Sequence, residues 1–544
     1  MATARLPQWP PKANEAQLAY LSQTATDYAL SHSILYRPPV PAGSAGPALD
    51  SAIHAPLALF PSPFPRSLYA ASQALQPLYN ALYARISTDD ALLTRVIGGS
   101  VIQVDDFQKA LWDIYTAVRK EGAVQKLHLG LFRSDYLLHE DPEQGLQIKQ
   151  VELNTISSSF GALCTRVADM HRYLAQTTGF CNVSPHLTNA ANIPRNEALD
   201  TLVDGLSAAH TAYVVSHKPE GTAPVVLFVV QDGERNVFDQ RLIEYGLSER
   251  GIKVQRATFD QLSGNGAVLE GPERRLLVSL PGQTPSQEIS VVYFRAGYSP
   301  ADYPGAAQWA TRLLLERSLA IKCPTVALQL AGAKKVQQVL CEPNLLESLL
   351  GSSGDNNTAI QQLRASFMDM YPLDSSELGK KGLALAQTTP EDFVMKPQRE
   401  GGGNNIYRAD IPPALAAMDA RDAAKGATAG AGTETGAGAD SAVKEREGYI
   451  LMRLIRPPAG TGNHLIRAGL GSATPGESAI LAPDVISELG AFGAVLFREG
   501  QSGPGGVDIV HEKSGGHLLR TKARESDEGG VAVGYSVIDS PVLV

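Results

Sequence analysis

Residues 393–407, FVMKPQREGGGNNIY, determine how the rest of this chain is interpreted. An apolar run ends at Lys396, and Arg399 and Glu400 lead directly into three consecutive glycines. Consecutive glycines cost backbone entropy, so a globular protein keeps them where the main chain must approach or cover a ligand. Lysine and arginine bind phosphate, carboxylates hold Mg²⁺, and glycine amides contact phosphate oxygens. The segment therefore predicts a phosphate-binding loop; the plain alternative is a glycine-rich hairpin flanked by solvated charges.

The same segment resembles the glycine-rich lid loop of eukaryotic-type glutathione synthetases, a branch of the ATP-grasp ligases. Four more blocks resemble this family in the same order: residues 129–136 (LGLFRSDY), 150–160 (QVELNTISSSF), 291–298 (VVYFRAGY) and 517–532 (HLLRTKARESDEGGVA). Shorter matches lie between them, at 234–240 (ERNVFDQ), 313–318 (LLLERS) and 329–338 (QLAGAKKVQQ). The resemblance runs from about residue 105 to the C-terminus. It implies an α/β protein with an ATP-grasp fold.

Length and composition indicate an acidic globular protein with more than one lobe. A chain of 544 residues exceeds the usual single-core limit, and 44% hydrophobic with 19% charged residues is ordinary for globular proteins. The net charge of −9, without a basic run, argues against a nucleic-acid partner. Cys164, Cys181, Cys323 and Cys341 are too widely spaced for metal motifs and suggest reduced thiols. No 18-residue apolar run or apolar signal core is present, so we expect a cytoplasmic protein without a membrane partner.

Hydrophobic periodicity divides the chain into three expected parts. Residues 1–219 are expected to form a helical N-terminal region and the first part of the ATP-grasp core. Residues 220–330 are expected to form an inserted α/β substrate-binding lobe, because short apolar runs alternate with a helical pattern as in a small parallel sheet. Residues 331–544 are expected to complete the core and lid. Within them, residues 423–440 contain 12 Gly or Ala among 18 positions and are predicted to be a disordered loop insertion.

Individual elements follow from the same patterns. The predicted helices are 15–31, 67–86, 107–121, 236–250 and 334–349. The predicted strands are 127–131, 147–153, 224–231, 253–257, 289–294, 393–396 and 449–455, with the last two paired around the glycine loop. No GxxxxGK[ST] motif occurs, so the phosphates of any bound ATP must be held in another way.

A candidate metal site lies in residues 150–154, QVELN. Strand alternation places Glu152 and Asn154 on one face about 6.5 Å apart, and both offer the oxygen ligands that Mg²⁺ prefers. The alternative is the exposed half of an edge strand. The following residues 155–159 offer hydroxyls and amides at a predicted helix N-terminus, which suits a carboxylate. The family resemblance implies that Glu152, Asn154 and Glu400 bind Mg²⁺, with two ions expected.

Two arginines follow apolar strands and are candidates for binding an anionic substrate. Arg133 is expected in a turn after residues 127–131, and Arg295 at the carboxyl end of a strand, where ligands of α/β sheets gather. Taken alone, an arginine such as Arg133 would more often form a surface ion pair. The resemblance implies that Arg133 and Arg520 bind substrate and act in catalysis. It implies γ-glutamylcysteine contacts for a larger set: Arg133, Ile156, Ser157, Ser158, Ser159, Glu234, Asn236, Gln240, Arg295, Tyr298, Arg520, Val531 and Ala532.

The resemblance also implies an ATP site built from both halves of the chain. Its residues are Glu152, Lys334, Lys396, Glu400, Gly401, Gly402, Gly403, Asn404, Asn405, Tyr407, Met452, Arg453, Leu454, Ile455, Glu488, Lys522 and Glu528. Two assignments have alternatives in the sequence itself: Lys335 competes with Lys334, and Glu488 could be a charge on a helix surface. His171, His511 and His517 lack metal-ligand spacing and are expected to be structural.

The function that the resemblance implies is ATP-dependent ligation of γ-glutamylcysteine and glycine to glutathione by a homodimer. Two alternatives stay open from the sequence. A sister ligase using β-alanine would share the ATP-site residues, and a non-catalytic nucleotide-binding relative would share the fold. Val531 and Ala532 match the glutathione-making rather than the homoglutathione-making pattern of the family, so the resemblance implies glycine as the acceptor. The presence of Glu152, Asn154 and Glu400 together argues against loss of catalysis.

Overall fold

The structure is a computed structural model that describes residues 6–39, 50–219, 221–282, 286–351, 355–400, 403–429, 443–467, 479–500, 505–526, 531 and 536–544. These residues form a mixed α/β protein. The helices are α1 (Glu15–Ser31), α2 (Arg66–Thr88), α3 (Asp90–Leu93), α4 (Asp106–Glu121), α5 (Gly161–Thr177), α6 (Ala198–His217), α7 (Val237–Glu249), α8 (Phe259–Leu262), α9 (Ala306–Arg317), α10 (Val326–Ala331), α11 (Lys334–Val339), α12 (Leu345–Leu350), α13 (Asp355–Ser366), α14 (Glu377–Thr388) and α15 (Ile411–Ala429).

The strands combine short early segments with long late ones. They are β1 (Leu35–Tyr36), β2 (Ile53–His54), β3 (Leu57–Ala58), β4 (Ser62–Phe64), β5 (Leu127–Asp141), β6 (Gly145–Asn154), β7 (Val225–Val229), β8 (Val254–Ala257), β9 (Ala267–Glu270), β10 (Arg275–Val278), β11 (Gln287–Phe294), β12 (Ile321–Cys323), β13 (Met370–Pro372), β14 (Phe393–Pro397), β15 (Ile406–Tyr407), β16 (Tyr449–Arg453), β17 (Asn463–Ile466), β18 (Ala479–Ala482), β19 (Val485–Glu499), β20 (Val507–Ala523), β21 (Val537–Asp539) and β22 (Pro541–Leu543).

The largest sheet joins the two ends of the chain. Its order within the described residues is β18-β17-β3-β21-β20-β19-β5-β6, so strands from the first 155 residues pair with strands from the last hundred. Side chains of β5 alternate between two buried clusters, with Phe132 and Tyr136 packed beside α2 and Leu131 packed with residues of α5 and α6. β6 is an edge strand, so the outer side of its last residues is not paired within this sheet and can contact an element from another part of the protein.

A second sheet holds the predicted parallel strands. β8, β7, β11 and β12 pair in parallel, as the continuous apolar runs predicted. The antiparallel hairpin β9–β10 extends this sheet beyond β11 and was not predicted. The carboxyl end of β11 continues into Arg295.

A third sheet carries the glycine loop. Its order is β13-β16-β14-β15, and β14 pairs antiparallel with β16 from Phe393↔Arg453 to Pro397↔Tyr449, as predicted. β14 also pairs with β15 through Val394↔Tyr407, so residues 398–400 and 403–405 lie between the two strands of a hairpin.

The predicted N-terminal helices are confirmed. α1 begins at a capping box in which Asn14 and Gln17 exchange backbone and side-chain hydrogen bonds, and Leu21, Ala25 and Ala29 form its buried face. α4 begins at Asp105, whose side chain accepts from the backbone N–H of Gln108.

Three sequence predictions about elements were wrong, and one alternative that the sequence left open is excluded. The predicted helix 334–349 is broken into α11 and α12 around Pro343, which lacks a backbone N–H, and Asn344, which is left-handed with φ 65°. The predicted disordered insertion 423–440 begins inside α15, because alanine has the highest helix propensity; residues 430–440 lie outside the described residues. The predicted turn at Arg133 and the helix alternative for Glu488 are replaced by the interiors of β5 and β19.

Among the described residues, no helix combines the length and apolar character needed to cross a bilayer.

Candidate active site

A cleft of ≈ 640 Å³ opens between the largest sheet and the sheet that carries the glycine loop. Most of the predicted site residues line it: Arg133, Glu152, Asn154, Ile156, Ser157, Ser158, Ser159, Tyr298, Lys334, Lys396, Glu400, Asn404, Asn405, Tyr407, Met452, Arg453, Leu454, Ile455, Glu488, Arg520, Lys522 and Val531. Glu234, Asn236, Gln240, Arg295 and Gly403 do not line it. Gly401, Gly402, Glu528 and Ala532 lie outside the described residues.

The floor of the cleft is a row of charged side chains that strand register brings together. On β5, Arg133 lies opposite Asn154 and Asp135 lies opposite Glu152 on β6. On the other side, β19 pairs with β20 so that Glu488 lies opposite Arg520. Alternation keeps these side chains on one face of the sheet, so residues distant in sequence form one polar surface.

Lys334 joins two carboxylates from different elements. It begins α11, and its Nζ lies 2.8 Å from Glu152 Oε2 on β6 and 3.3 Å from Glu400 Oε1 in the glycine hairpin. Burial acts to lower the pKa of Lys334, but Glu152 and Glu400 outweigh it and the pKa is raised. For a carboxylate, burial acts in the opposite direction, and it raises the pKa of Glu400. Burial also acts to raise the pKa of Glu152, but Lys334 and Lys396 outweigh it, so the pKa of Glu152 is lowered.

This group of oxygens fits a divalent cation. Glu152 and Glu400 converge on one cationic nitrogen, which is the arrangement that a hard metal ion bound by two carboxylates requires. Asn154 Nδ2 donates to Asp135 Oδ2 at 2.9 Å, so the amide oxygen of Asn154 is the atom that could coordinate a cation. Within the described ranges, no three His, Cys, Asp or Glu side chains are grouped for metal binding. A cation held here by three side chains would therefore need a different kind of donor, such as the Asn154 amide oxygen.

Lys396 lies beneath the same group. It is buried at the end of β14 and donates to the backbone oxygen of Val151 at 3.1 Å. Burial lowers the pKa of Lys396 to about 8, against the opposing effect of Glu152. Lys335, the alternative to Lys334, instead faces Asp374 at 3.8 Å, and Lys335 does not line the cleft.

Asp135 is a central site residue that the sequence analysis missed. It is 1% exposed, and it accepts from Arg133 Nε at 2.7 Å and from Arg133 Nη2 at 2.8 Å. Its Oδ2 also accepts from Arg520 Nη2 at 3.1 Å, and Arg520 pairs in addition with Glu488. The alternation from Arg133 to Asp135 would have revealed this residue if β5 had been extended beyond residue 131.

The serine loop, residues 156–159, is held by arginines from two sheets. Arg133 Nη1 donates to Ser159 O at 3.1 Å, and Arg295 donates to Ser158 O at 3.0 Å and to Ser159 Oγ at 2.7 Å. Arg295 therefore acts behind the loop rather than in the cleft wall. The backbone around the loop is left-handed at Ser157 and Phe160.

The helix N-terminus that follows the serine loop already has a carboxylate. Asp239 on α7 is fully buried and accepts from the backbone N–H groups of Phe160, Ala162 and Leu163 at 2.8, 3.0 and 3.1 Å. The expected ligand carboxylate at this helix end is therefore replaced by the protein's own Asp239, which lies within the ERNVFDQ block. This contact connects α7 to the serine loop.

The remaining predicted peptide-binding residues form a polar group beside the cleft. Glu234 accepts from Asn236 N at 2.8 Å and from Gln240 Nε2 at 3.2 Å. Among the described residues, Arg295 Nε and Asn236 Oδ1 are buried without a hydrogen-bond partner. Buried polar atoms are costly when unpaired, so these two atoms are candidates for ligand contacts.

An apolar slot forms the opposite end of the cleft. Val394 and Met452 are buried in a small cluster against which Tyr407, Leu454 and Ile455 pack. Its rim carries ion pairs of Arg453 with Asp369 and of Arg456 with Asp392. Such apolar walls are suited to a planar apolar ring.

The histidines predicted to be structural have structural contacts. His171 is buried between Ser540 Oγ and Ala58 O, and burial lowers its pKa to about 4. His517 packs edge-on against Tyr69, and burial lowers its pKa to about 3. His511 pairs with Asp204 at 2.6 Å.

Comparison with known proteins identifies the family. A family model described as the eukaryotic glutathione synthase, ATP binding domain, matches residues 15–543. The chain belongs to the eukaryotic glutathione synthetase family. The glutathione synthetases of Rattus norvegicus and Homo sapiens are 40% and 39% identical to it over 532 residues, covering 98% of this chain and 98% of each relative.

A solved structure shares the fold. A glutathione synthetase like-effector from Globodera pallida, in apo form, matches with a TM-score of 0.69 and 20% identity over 98% of both chains. The sequence relatives and this structure each match 98% of the chain, so the similarity extends into the first hundred residues.

Proposed function

We propose that this chain joins γ-L-glutamyl-L-cysteine to glycine while ATP is converted to ADP and phosphate. The observation that carries the proposal is the continuous charged floor between an apolar slot and the serine loop. Lysines and two convergent carboxylates lie at the slot end, and Arg133 and Arg520 lie towards the serine loop. Such a floor suits a nucleotide triphosphate facing a substrate carboxylate.

ATP occupies the slot end in this proposal. The adenine lies between Val394, Met452 and Ile455, and the phosphates extend towards Lys396 and Lys334. Two Mg²⁺ ions, held by Glu152, Asn154 and Glu400, would neutralise phosphate charge when bound. In the free protein Lys334 balances these carboxylates, and on ATP binding its ammonium is available to the phosphates.

The dipeptide occupies the serine-loop end. Arg133 and Arg520 bind its cysteinyl carboxylate and oppose the charge that develops during transfer. The serine loop and Tyr298 contact the peptide. Arg295 does not line the cleft, so in this proposal it acts on the peptide through Ser158 and Ser159, to which it donates hydrogen bonds.

The reaction then needs no covalent enzyme intermediate. A carboxylate oxygen of the dipeptide attacks the γ-phosphorus of ATP, the bond to ADP breaks, and an acyl phosphate forms. Glycine's amine attacks the acyl carbon, phosphate leaves with that carboxylate oxygen, and the amine loses its proton. The residues contribute positioning and electrostatic stabilisation. Exclusion of water from the cleft would protect the acyl phosphate from hydrolysis.

Further features belong to the same proposal. The fold is ATP-grasp, with residues 220–330 as an inserted substrate-binding lobe between a 1–219 segment and a 331–544 segment. The protein acts as a cytoplasmic homodimer. Glycine is the acceptor in this proposal, because Val531 and Ala532 match the glutathione-making pattern of the family; Val531 lines the cleft, and Ala532 lies outside the described residues.

An ADP-release assay with purified protein tests the function. ATP, Mg²⁺ and γ-glutamylcysteine are supplied with glycine, with β-alanine, or without acceptor, and the product is identified by mass spectrometry. We expect glutathione formed in equal amount to ADP with glycine. Homoglutathione formation with β-alanine at an equal rate would assign the sister activity, and absence of ADP release in every arm would assign a non-catalytic role.

A further inference from the structure

We propose that Asp135 is the positioning residue that aligns both catalytic arginines and the amide of the metal ligand Asn154. This inference rests on the proposed function, because it concerns how the same cleft is organised. Asp135 itself lies beneath the ligand groups, 1% exposed. Its effect on the reaction is therefore exerted through its neighbours.

The hydrogen bonds of Asp135 connect the two halves of the cleft. Its Oδ1 accepts from Arg133 Nε at 2.7 Å. Its Oδ2 accepts three donors: Arg133 Nη2 at 2.8 Å, Asn154 Nδ2 at 2.9 Å and Arg520 Nη2 at 3.1 Å. One carboxylate thus fixes both guanidinium groups and turns the amide oxygen of Asn154 away from itself.

These hydrogen bonds require an acceptor at both side-chain oxygens of residue 135, which a carboxylate provides. Charge-assisted hydrogen bonds to a planar guanidinium are strong and directional. An amide in place of the carboxylate would turn an NH₂ group either towards Arg133 Nε or towards the three donors on Oδ2. In both orientations a donor faces a donor, so at least one of Arg133, Arg520 and Asn154 must move.

A glycine on the neighbouring strand is an independent observation for the same role. Gly490 lies directly opposite Asp135 on β19. A Cβ at Gly490 would lie 2.7 Å from Asp135 Oδ1 and 2.7 Å from Arg133 Cδ. Because residue 490 has no side chain, β19 leaves room for the ion pair of Arg133 with Asp135. Alanine at position 490 would displace this ion pair without changing any charge.

Two variants and two matched controls test the proposal. Asp135→Asn removes the charge at constant volume, and Gly490→Ala moves the pair at constant charge. Asp539→Asn is the control for the first, because Asp539 is fully buried in the same sheet and accepts from Ser62 and Thr521 outside the cleft. Gly493→Ala is the control for the second, because its Cβ would lie 2.4 Å from Asn80 on α2.

The measurements separate positioning from stability. Calorimetric titration of each metal-free protein with γ-glutamylcysteine gives the dissociation constant, and kinetics give kcat and the Mg²⁺ concentration for half-maximal activity. For Asp135→Asn and Gly490→Ala we expect dipeptide binding to weaken and the Mg²⁺ requirement to rise, each by about 10-fold or more. Both controls should lose thermal stability while these two constants stay within about twofold of wild type.

The outcomes are decisive in each direction. The proposal is overturned if either test variant folds and matches wild type in both constants, or if the controls change as much as the test variants. If Asp135→Asn does not fold, Gly490→Ala decides by the same criteria. Failure of the proposed function is distinct, because then wild type itself forms no glutathione.

Discussion

Gly332 provides a stringent test of how Lys334 reaches the carboxylates. Gly332 has ordinary helical angles, φ −73° and ψ −7°, so alanine is acceptable to its backbone. However, a Cβ there would lie 2.3 Å from Thr155 Oγ1 and 3.2 Å from Thr155 Cγ2. Thr155 is buried and β-branched, so its side chain cannot rotate away freely. We therefore expect Gly332→Ala to push α11 away from β6.

The size of the effect follows from the overlap. The optimal separation of non-bonded heavy atoms is about 3.5 Å, so a distance of 2.3 Å between the added Cβ and Thr155 Oγ1 requires one of them to move by roughly 1 Å. Overpacking of this kind costs about 1–3 kcal/mol in the free energy of unfolding. Lys334 lies two residues further on, and a displacement of about 1 Å at a catalytic group can lower turnover on the order of 100-fold.

A double-mutant cycle measures whether the clash with Thr155 is the cause. Urea denaturation and steady-state kinetics are compared for wild type, Gly332→Ala, Thr155→Ala and the double variant. Thr155→Ala removes both contacting atoms, so the double variant should recover about 0.5–3 kcal/mol of coupling energy and most of the lost turnover. A Gly332→Ala protein with wild-type stability and turnover, or a double variant without recovery, would refute the reasoning.

Three further variants or comparisons test other parts of the account. Glu400→Ala should keep the fold and lower turnover by orders of magnitude, because one of two convergent carboxylates is lost; near-wild-type turnover at ordinary Mg²⁺ would remove Glu400 from the metal site. Deletion of residues 431–440 should change the free energy of unfolding by about 1 kcal/mol or less, since loop-closure cost varies slowly with length; loss of folding or of ATP binding would show that the segment packs. Glycine should exceed β-alanine in kcat/KM by a factor corresponding to roughly 1–3 kcal/mol, because β-alanine is one methylene longer; equal values would contradict the acceptor assignment to a pocket bordered by Val531.

The parts of the fold predicted from the sequence are those with strong local patterns. The strands around residues 224–231 and 289–294 were visible because continuous apolar runs suit a sheet covered on both faces. The pairing of β14 with β16 was visible because two apolar runs flank a glycine loop. The hairpin β9–β10 was missed, since each of its strands is only four residues long.

The candidate site was only partly predictable for the same reason. Alternation within β6 was enough to pair Glu152 with Asn154. Asp135 was missed because the apolar run ends near Phe132, whereas β5 pairs with β19 as far as Leu137 and with β6 as far as Asp141. Such long-range pairing cannot be read from a local pattern. The position of Asp239 under the serine loop likewise depends on packing between helices α5 and α7.

Transfer of a labelled oxygen tests the central claim most directly. γ-Glutamylcysteine carrying ¹⁸O in its cysteinyl carboxylate is converted with ATP and glycine, and the released phosphate is analysed by ³¹P NMR. If the carboxylate attacks the γ-phosphorus in this cleft, each phosphate acquires one oxygen from the dipeptide carboxylate, and the label appears in phosphate in proportion to glutathione formed. Glutathione formation accompanied by unlabelled phosphate would contradict the account.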